Sequence, residues 1–213
     1  RQLATDLLAR QDSKTLAIIG AGAQSRLILP AVCSVRKIER VLVFDRSDEI
    51  KLGFVDEMES ELNSISILAA NSSTDAIRKA DIICTATTSQ TPVFDGNYLK
   101  VGTHINGIGS FNPEMQEIDF ETLKRCSKIV IDSYGGAMAE AGDLLIAFEN
   151  GVIERKDVRG EIGSIVDGSL PGRETNEEIT FFKSVGNAAL DVAVGAEIFK
   201  RAKEKGVGIK VDL

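Results

Sequence analysis

The sequence predicts an α/β fold built on a doubly wound, mostly parallel sheet. Short apolar runs recur along the chain, and segments with helical spacing separate them. The first apolar run opens directly into a turn that carries glycines at positions 20 and 22. Alternating strands and helices favour a parallel sheet that helices cover on both faces. The 213 residues suit one large domain, which we expect to span residues 1–213.

The apolar runs and their flanking residues place the predicted elements in order. We expect strands at 15–19, 40–45, 66–69, 82–85, 104–108, 128–131 and 179–184. We expect helices at 2–9, 24–35, 49–62, 71–79 and from 187 to about 205, with short helices and loops between 134 and 176. Pro30 can kink the second helix, and Asp48 is the expected cap of the third. The charged run 154–159 is interpreted as solvated surface.

The composition argues against several classes of function. A formal net charge of −7 disfavours nucleic-acid binding, which depends on Lys and Arg that neutralise phosphates. No uninterrupted apolar stretch is long enough to cross a bilayer, so no membrane partner is expected. Cys33, Cys84 and Cys126 are widely spaced and include no CxxC pair, so neither a metal site nor a disulfide framework is expected. Reduced thiols fit a cytoplasmic protein.

The glycine turn and the helix after it form the strongest functional motif. Gly20-x-Gly22-x-x-Ser25 follows a strand and opens a helix, and Asp45 lies about 20 residues further on. Gly20 permits the turn, and Gly22 lets the backbone approach a pyrophosphate at the positive end of the helix. Ser25 fits the position for a small residue where the helix meets the strand. The pattern favours a Rossmann-type dinucleotide site over a purely structural turn.

The acidic residue after the second strand indicates which dinucleotide is bound. Asp45 is placed to accept hydrogen bonds from the adenosine ribose, which favours NAD. Arg46 and Ser47 follow it, and an arginine here can stack on adenine or meet the 2′-phosphate of NADP. NAD is therefore the preferred cofactor and NADP stays possible. A solvated strand end is the alternative interpretation of Asp45.

Two further strand ends are expected to border the same crevice. The fourth strand runs into small hydroxyl residues that can approach the cofactor, although Thr and Ser are also common in turns. The fifth strand ends in a glycine-rich segment that can come close to a flat ring, and Asn106 can bond that ring. The candidate residues at these ends are Thr85, Ala86, Thr87, Asn106, Gly107 and Ile108.

No side chain stands out as a catalytic acid or base. His104 is the only histidine and could act as a general acid, but a satisfied structural histidine is the preferred interpretation. Glu140 and Asp143 form an acidic pair, yet Asp143 also fits a cap for a helix that starts at residue 144. The catalytic residues therefore stay unassigned.

The order of these motifs resembles that of a known family. With Gly20–Ser25, the 104–109 segment and Ser-Val-Gly at 184–186, the chain resembles the ornithine cyclodeaminase/μ-crystallin family over nearly its whole length. The resemblance implies a Rossmann lobe that holds NAD(P) and an N-terminal lobe that binds substrate and forms a homodimer. This chain is similar to the Rossmann lobe, with most of the N-terminal lobe missing. Residues 1–10 and 187–213 are then terminal helices that connect to that lobe.

The resemblance also implies roles for individual residues. The pyrophosphate turn takes Gly20, Gly22, Ala23, Gln24 and Ser25, and the ribose acid is Asp45. Thr85 and Thr87 match strand-end threonines, and Asn106, Gly107 and Ile108 match the segment beside the nicotinamide. A late loop reaches the nicotinamide side through Ser184 and the substrate through Val185.

Two positions depart from the cyclodeaminases. Those enzymes carry an Asp where Phe111 stands, and that Asp handles protons and the substrate amine, which phenylalanine cannot do. Met115 stands where they have a cofactor-binding Lys. We therefore expect an NAD(P)-dependent oxidoreductase that moves hydride to or from the Cα of a small amino or imino acid, such as a cyclic ketimine. Ornithine cyclodeamination and non-catalytic, crystallin-like binding of cofactor and hormone are the alternatives.

Overall fold

One parallel sheet organises the computed structural model, which describes residues 2–209 and Val211. The strands are β1 (Thr15–Ile19), β2 (Arg40–Phe44), β3 (Ser66–Ala69), β4 (Ile82–Thr85), β5 (His104–Gly107), β6 (Lys128–Ile131), β7 (Val158–Glu161) and β8 (Thr180–Lys183). The helices are α1 (Gln2–Leu8), α2 (Ala23–Cys33), α3 (Asp48–Glu61), α4 (Ser73–Ile77), α5 (Phe120–Arg125), α6 (Tyr134–Glu140), α7 (Gly142–Glu149), α8 (Ile162–Val166) and α9 (Ala188–Lys205). Within the described residues, the eight strands pair in the order β3-β2-β1-β4-β5-β8-β6-β7.

The neighbours of β1 set the position of a ligand crevice. After β1 the chain builds outward to β2 and β3, and then returns to place β4 on the other side of β1. Ile19, the last residue of β1, pairs with Phe44 of β2 and with Thr85 of β4. The carboxyl ends of these three strands therefore align at one edge of the sheet. A crevice opens at such an edge where the strand order reverses.

Helices pack on both faces of the sheet, and successive residues of β1 therefore belong to two different apolar clusters. Leu16 and Ile18 belong to one cluster, whereas Ala17 and Ile19 belong to the other. The first cluster includes residues of α2 and α3, namely Ile28, Leu29, Phe54 and Met58. The second includes residues of α4, α5, α6 and α7, namely Ile77, Leu123, Ala137 and Leu144. Burial on both faces explains why the strands read as short continuous apolar runs.

The predicted doubly wound parallel sheet is confirmed, with one strand more than expected. β7 lies in the region predicted to hold only short helices and loops. Its burial alternates, because Val158 and Gly160 are buried while Arg159 is exposed. The interpretation of 154–159 as solvated surface overlooked this edge strand, since its solvent-facing residue belongs to the charged run.

Two helices differ locally from the sequence-based expectations. α2 continues through Pro30 to Cys33, and the Pro30 carbonyl still accepts a hydrogen bond from Ser34 N at 3.0 Å. The proline thus removes its own N–H without ending the helix. α3 is capped by Ser47 and not by Asp48, because the Ser47 hydroxyl accepts from Ile50 N at 3.3 Å. Asp48 is instead the first residue of that helix.

The two terminal helices are buried to very different extents. Ala4 and Leu8 of α1 are buried in a cluster with Val130 and Phe182 of the sheet. The buried Arg36 guanidinium donates to carbonyl oxygens near the end of α1 and so fixes that helix to the segment after α2. In contrast, α9 contains no buried residue, from its Asn187 cap to Gly206 at its end. The first terminal helix is therefore part of the packed domain.

Candidate functional site

The glycine turn after β1 leaves room for a ligand next to the start of α2. Gly20 has a φ of +92°, and a Cβ there would lie 2.7 Å from Ala86 O, so only glycine fits. A Cβ on Gly22 would meet nothing within 4 Å, which leaves space beside the backbone of this residue. The first N–H groups of a helix have no partner within the helix, and the first turn of α2 contains no acidic residue. This end of α2 therefore suits an anion.

Asp45 lies beside this turn and directly after β2. Its Oδ2 accepts from Ala21 N at 2.9 Å, and its Oδ1 accepts from Ser47 N at 3.0 Å. These two bonds fix the carboxylate in the crevice. A carboxylate can accept about four hydrogen bonds, so Asp45 keeps acceptor capacity for the hydroxyl groups of a ribose. Ser47, a predicted cofactor residue, supplies a main-chain N–H to Asp45 and uses its hydroxyl to cap α3.

Two adjoining cavities form one cleft along the carboxyl edge of the sheet. The larger, of about 420 Å³, is lined by residues that include Gly20, Gly22, Phe44, Asp45, Arg46 and Val93. The smaller, of about 220 Å³, is lined by Gln24, Ile108, Gly109, Phe111, Ser184, Val185 and Gly186. Both cavities are also lined by Ala86, Thr87 and Thr88. The predicted residues that the fold brings together here are Gly20, Gly22, Gln24, Asp45, Arg46, Ala86, Thr87, Ile108, Ser184 and Val185.

A buried carboxylate that the sequence analysis missed organises two walls of this cleft. Glu117 Oε1 accepts from Thr87 N at 2.6 Å, and its Oε2 accepts from Thr85 Oγ1 at 2.8 Å and Gly109 N at 2.7 Å. Burial and then the charge of Asp143 raise the pKa of Glu117, while Lys183 lowers it. No local sequence pattern marks this residue, because Thr85 and Thr87 lie about 30 residues before it and only the fold brings them to its carboxylate.

Asp143 contacts the main chain at Glu117, and Lys183 in turn contacts Asp143. Asp143 Oδ1 accepts from the main-chain N of Glu117 at 2.6 Å and of Ile118 at 3.0 Å. Asp143 Oδ2 lies 3.1 Å from Lys183 Nζ, and both side chains are completely buried. Asp143 is the second residue of α7, so it does not cap a helix starting at residue 144 as expected. Its carboxylate instead holds the segment that carries Glu117.

A third carboxylate holds the late loop. Asp132, at the end of β6, accepts through Oδ2 from Ser184 Oγ and Val185 N, both at 2.9 Å, and from Gly186 N at 3.0 Å. Ser184 and Val185 both line the smaller cavity. Asp132 was not among the sequence-based candidates, because it lies about 50 residues before the loop that it holds.

The structure places Asn106 away from the cleft, against the suggestion that its amide bonds the nicotinamide ring. Its Nδ2 donates to Thr5 Oγ1 at 3.1 Å, and its Oδ1 lies 3.2 Å from His104 Nε2. His104 Nδ1 lies 2.9 Å from Thr180 Oγ1. Burial lowers the pKa of His104 to about 3, so this histidine stays neutral. The preferred interpretation of His104 as a satisfied structural residue agrees with this geometry.

Five more predicted cofactor residues do not line the cleft, and Ser47, which caps α3, is one of them. The Thr85 hydroxyl is buried and donates to Glu117, because Thr85 is the last residue of a strand inside the sheet. Gly107 is needed for packing, since a Cβ there would lie 2.7 Å from the Phe181 ring. Ser25 is buried and donates to Gly20 O, which closes the turn. Ala23 is exposed as the first residue of α2.

The cysteines and the described acidic groups offer no metal site. Burial raises the pKa of Cys33 to about 11 and that of Cys126 to about 12, so both remain neutral thiols. Cys84 is buried and lies 3.5 Å from Asn106 Nδ2. Between residues 2 and 209, no three His, Cys, Asp or Glu side chains are grouped so that they could hold a metal ion.

A family model, the ornithine cyclodeaminase/mu-crystallin family, matches residues 2–206. The chain belongs to this family. A Delta(1)-pyrroline-2-carboxylate reductase from Bacillus cereus is 40% identical over 210 residues, which cover 99% of this chain and 64% of the relative. This chain thus spans less than two thirds of the length of that family member.

Solved structures of family relatives share the same fold. The Delta(1)-pyrroline-2-carboxylate reductase of Thermococcus litoralis, in complex with NADH and L-proline, matches with a TM-score of 0.95 at 42% identity, over 99% of this chain and 64% of that one. An archaeal alanine dehydrogenase dimer with bound NAD matches with a TM-score of 0.91 at 36% identity, over 100% of this chain and 64% of that one.

The two positions that depart from the cyclodeaminases lie in different surroundings. Phe111 lines the smaller cavity and is about half exposed. Met115 is 4% exposed and does not line either cavity. Its main-chain carbonyl accepts from Ser110 Oγ at 2.8 Å, so it supports the loop before Glu117. Of these two positions, only Phe111 lines the cleft.

Proposed function

We propose that this protein is an NAD(P)-dependent oxidoreductase that reduces the C=N bond of a small imino acid, with a cyclic ketimine carboxylate such as Δ1-pyrroline-2-carboxylate as the substrate class. The observation that carries the proposal is the cleft, which joins a pyrophosphate turn and a ribose acid to a smaller chamber without ionisable side chains. The names of the relatives point to the same class of reaction.

The residues of the cleft fit a dinucleotide. Gly22 leaves open space beside the helix start, and the N–H groups of that start can bind the two phosphates. Asp45 is fixed by Ala21 and Ser47 with acceptor capacity left for ribose hydroxyls. Gln24, Thr87 and Ser184 line the smaller cavity, where they would hold the nicotinamide half. Bound NAD(H) supplies a hydride donor or acceptor at C4 of its nicotinamide.

The smaller chamber favours reduction of an imine over deamination of ornithine. Its lining residues carry no carboxylate, imidazole or ammonium group, and Phe111 stands where the cyclodeaminases place an Asp. Reduction of an iminium adds hydride to Cα while the nitrogen keeps its proton, so this step requires no acid from these residues. Gly109 and Val185 instead bound the space and orient the reactants, which is the contribution such a site makes to the rate.

Asp45 supports NAD as the preferred cofactor. The 2′-phosphate of NADP would bring a second negative charge close to this carboxylate, which costs free energy unless a cation compensates. Arg46 lines the same cavity and can supply that compensation. NADP therefore remains an alternative, and the ratio of NADH to NADPH affinities tests it.

We also propose a cytoplasmic homodimer. One solved relative, the archaeal alanine dehydrogenase, is described as a dimer. The apolar residues Leu190, Val194 and Phe199 on α9 are exposed and offer surface for association. None of the helices between residues 2 and 209 combines the length and the hydrophobicity that a membrane crossing requires. Dimerisation through an N-terminal lobe stays a prediction, and light scattering of the full chain would measure the oligomeric state.

A steady-state assay separates the candidate activities. We expect the full chain to oxidise NADH, followed at 340 nm, when Δ1-pyrroline-2-carboxylate is added. L-Ornithine should give neither proline nor ammonia. Production of proline and ammonia without net change at 340 nm would instead show a cyclodeaminase. Stoichiometric binding of NADH without turnover of any imine or amino acid would show a crystallin-like binding protein, and no binding of either cofactor would overturn the proposal.

A further inference from the structure

We infer that Glu117, Asp143 and Lys183 form a buried ionic cluster that positions the nicotinamide half of the cleft. The inference rests on the proposed function, because it concerns how the same cleft holds its cofactor. All three side chains are completely buried, and none of them lines either cavity. They are therefore positioning residues, which act on the reaction through the loops that they hold.

Glu117 joins the loops after β4 and β5. Its two carboxylate oxygens accept separately from Thr87 N and Gly109 N, and both of these residues line the smaller cavity. The two loops approach closely at this point, since a Cβ on Gly109 would lie 2.1 Å from Thr87 O and 2.5 Å from Glu117 Oε1. The carboxylate thus lies where two walls of the cleft meet.

Lys183 and Asp143 extend this connection to a third wall. Lys183 ends β8 and immediately precedes Ser184 and Val185, which line the same cavity. Its Nζ contacts Asp143 Oδ2 at 3.1 Å, and Asp143 Oδ1 accepts from Glu117 N at 2.6 Å. The loops after β4, β5 and β8 are therefore linked through one continuous set of buried polar contacts.

The negative charge of Glu117 matters because every hydrogen-bonding group that faces its carboxylate is a donor. These groups are the Thr85 hydroxyl and the main-chain N–H groups of Thr87, Gly109 and Ser110. A glutamine has the same shape but offers one oxygen and one NH₂ group, so its NH₂ would face N–H donors. Thr87 and Val93, which line the larger cavity, are hydrogen-bonded to Glu117. Among the described residues, however, Asp45 bonds instead to Ala21 and Ser47, and no hydrogen bond joins Gly22 or Asp45 to the cluster.

The test compares Glu117→Gln with Glu114→Gln in the full chain. Glu114 lies three residues earlier in the same loop and is exposed, so it is a matched control. Single-turnover rates with a saturating cyclic imine and NADH titrations are measured for each protein. We expect Glu117→Gln to slow hydride transfer about tenfold or more, while the Kd for NADH changes less than about threefold. Glu114→Gln should match the wild type in both measurements.

A pH profile distinguishes positioning from a purely structural role. The charged groups that face Glu117 are Asp143 from α7 and Lys183 from β8, and its other partners are neutral. A protonated Glu117 would present an O–H to N–H donors and lose part of its hold on the loops. The wild-type rate should therefore fall as the pH decreases through the pKa of Glu117, and Glu117→Gln should lack that step. Titration of the substrate itself affects both proteins equally.

A milder variant keeps the test decisive if Glu117→Gln fails to fold. Thr85→Val removes one donor to Glu117 and leaves the others in place, so we expect hydride transfer to slow about threefold to tenfold. Unchanged single-turnover rates in the variant that folds, whatever its melting temperature, or a pH step that persists in Glu117→Gln, would overturn the inference alone. A wild-type protein that binds no NADH or reduces no imine would overturn the proposed function, and this inference with it.

Discussion

Asp45 and Glu117 hold main-chain N–H groups at the same edge of the sheet, but they do so in opposite environments. Asp45 is partly exposed at the end of β2 and makes two such bonds. Glu117 is completely buried and accepts four hydrogen bonds in total. The exposed carboxylate keeps acceptor capacity for a ligand, whereas the buried one has none to spare. Exposure thus separates a residue that can bind a ligand from one that positions a binding site.

The largest loss of stability is expected when the buried lysine of the cluster, Lys183, is replaced. Lys183→Met would leave Asp143 and Glu117 as two buried carboxylates without a counter-charge, because Lys183 Nζ is the ammonium group next to Asp143. Breaking such a pair costs about 3–5 kcal/mol of unfolding free energy. Chemical denaturation would measure it. Lys156→Met, which removes an exposed ammonium, should change stability by less than about 0.5 kcal/mol, and equal effects of the two variants would contradict the comparison.

Alanine substitutions at two glycines should have different effects on stability: one glycine lies in the buried region and the other beside open space. Gly109→Ala would force a methyl group against Thr87 O in the buried region, and we expect a loss of about 1–3 kcal/mol in unfolding free energy. Gly22→Ala adds a methyl group in open space, so stability should change by less than about 0.5 kcal/mol. Its affinity for NADH should nevertheless fall, because the methyl group would occupy space proposed for a phosphate. Denaturant titration and NADH titration of both variants provide the measurements.

The exposed carboxylate is tested by Asp45→Ala. We expect NADH affinity to fall by about 1–3 kcal/mol, the usual cost of removing a charge-assisted hydrogen bond. The affinity for NADPH should fall less, because the variant also removes a charge that repels the 2′-phosphate. Asp56→Ala, on the exposed side of α3, is the control and should bind NADH like the wild type. Unchanged NADH affinity in Asp45→Ala would remove this residue from the site.

At neutral pH the smallest effect is expected at the buried histidine, because its contribution appears only as the pH decreases. The pKa of His104 is about 3 in the folded protein, chiefly because of burial, against about 6.5 in an unfolded chain. The unfolded state therefore binds more protons between these values, and stability should fall as the pH decreases from about 6.5 to about 3. The slope from this group is at most about 1.4 kcal/mol per pH unit, and His104→Gln should have a shallower one. In NMR spectra, an imidazole signal that titrates near pH 6.5 would contradict the burial.

The site residues that the sequence could predict belong to motifs whose residues lie close together along the chain. Gly20, Gly22 and Asp45 could be predicted as cofactor residues because a strand, a turn, a helix and the next strand follow in a fixed order. Ser184 and Val185 could be placed only through the family resemblance, since no local pattern marks that loop. The side chain of Asn106 lies with His104 away from the cleft, because strand residues alternate between faces.

The sequence by itself determined the doubly wound sheet and the glycine turn after its first strand, because hydrophobic periodicity and glycine spacing are local properties. Only the tertiary structure decided which polar groups meet. Glu117 reaches Thr85 and Thr87 across about 30 residues, and Asp143 reaches Lys183 across 40. A buried charge is tolerated in the interior only beside a group that compensates it. The order of the strands determines which group lies beside it.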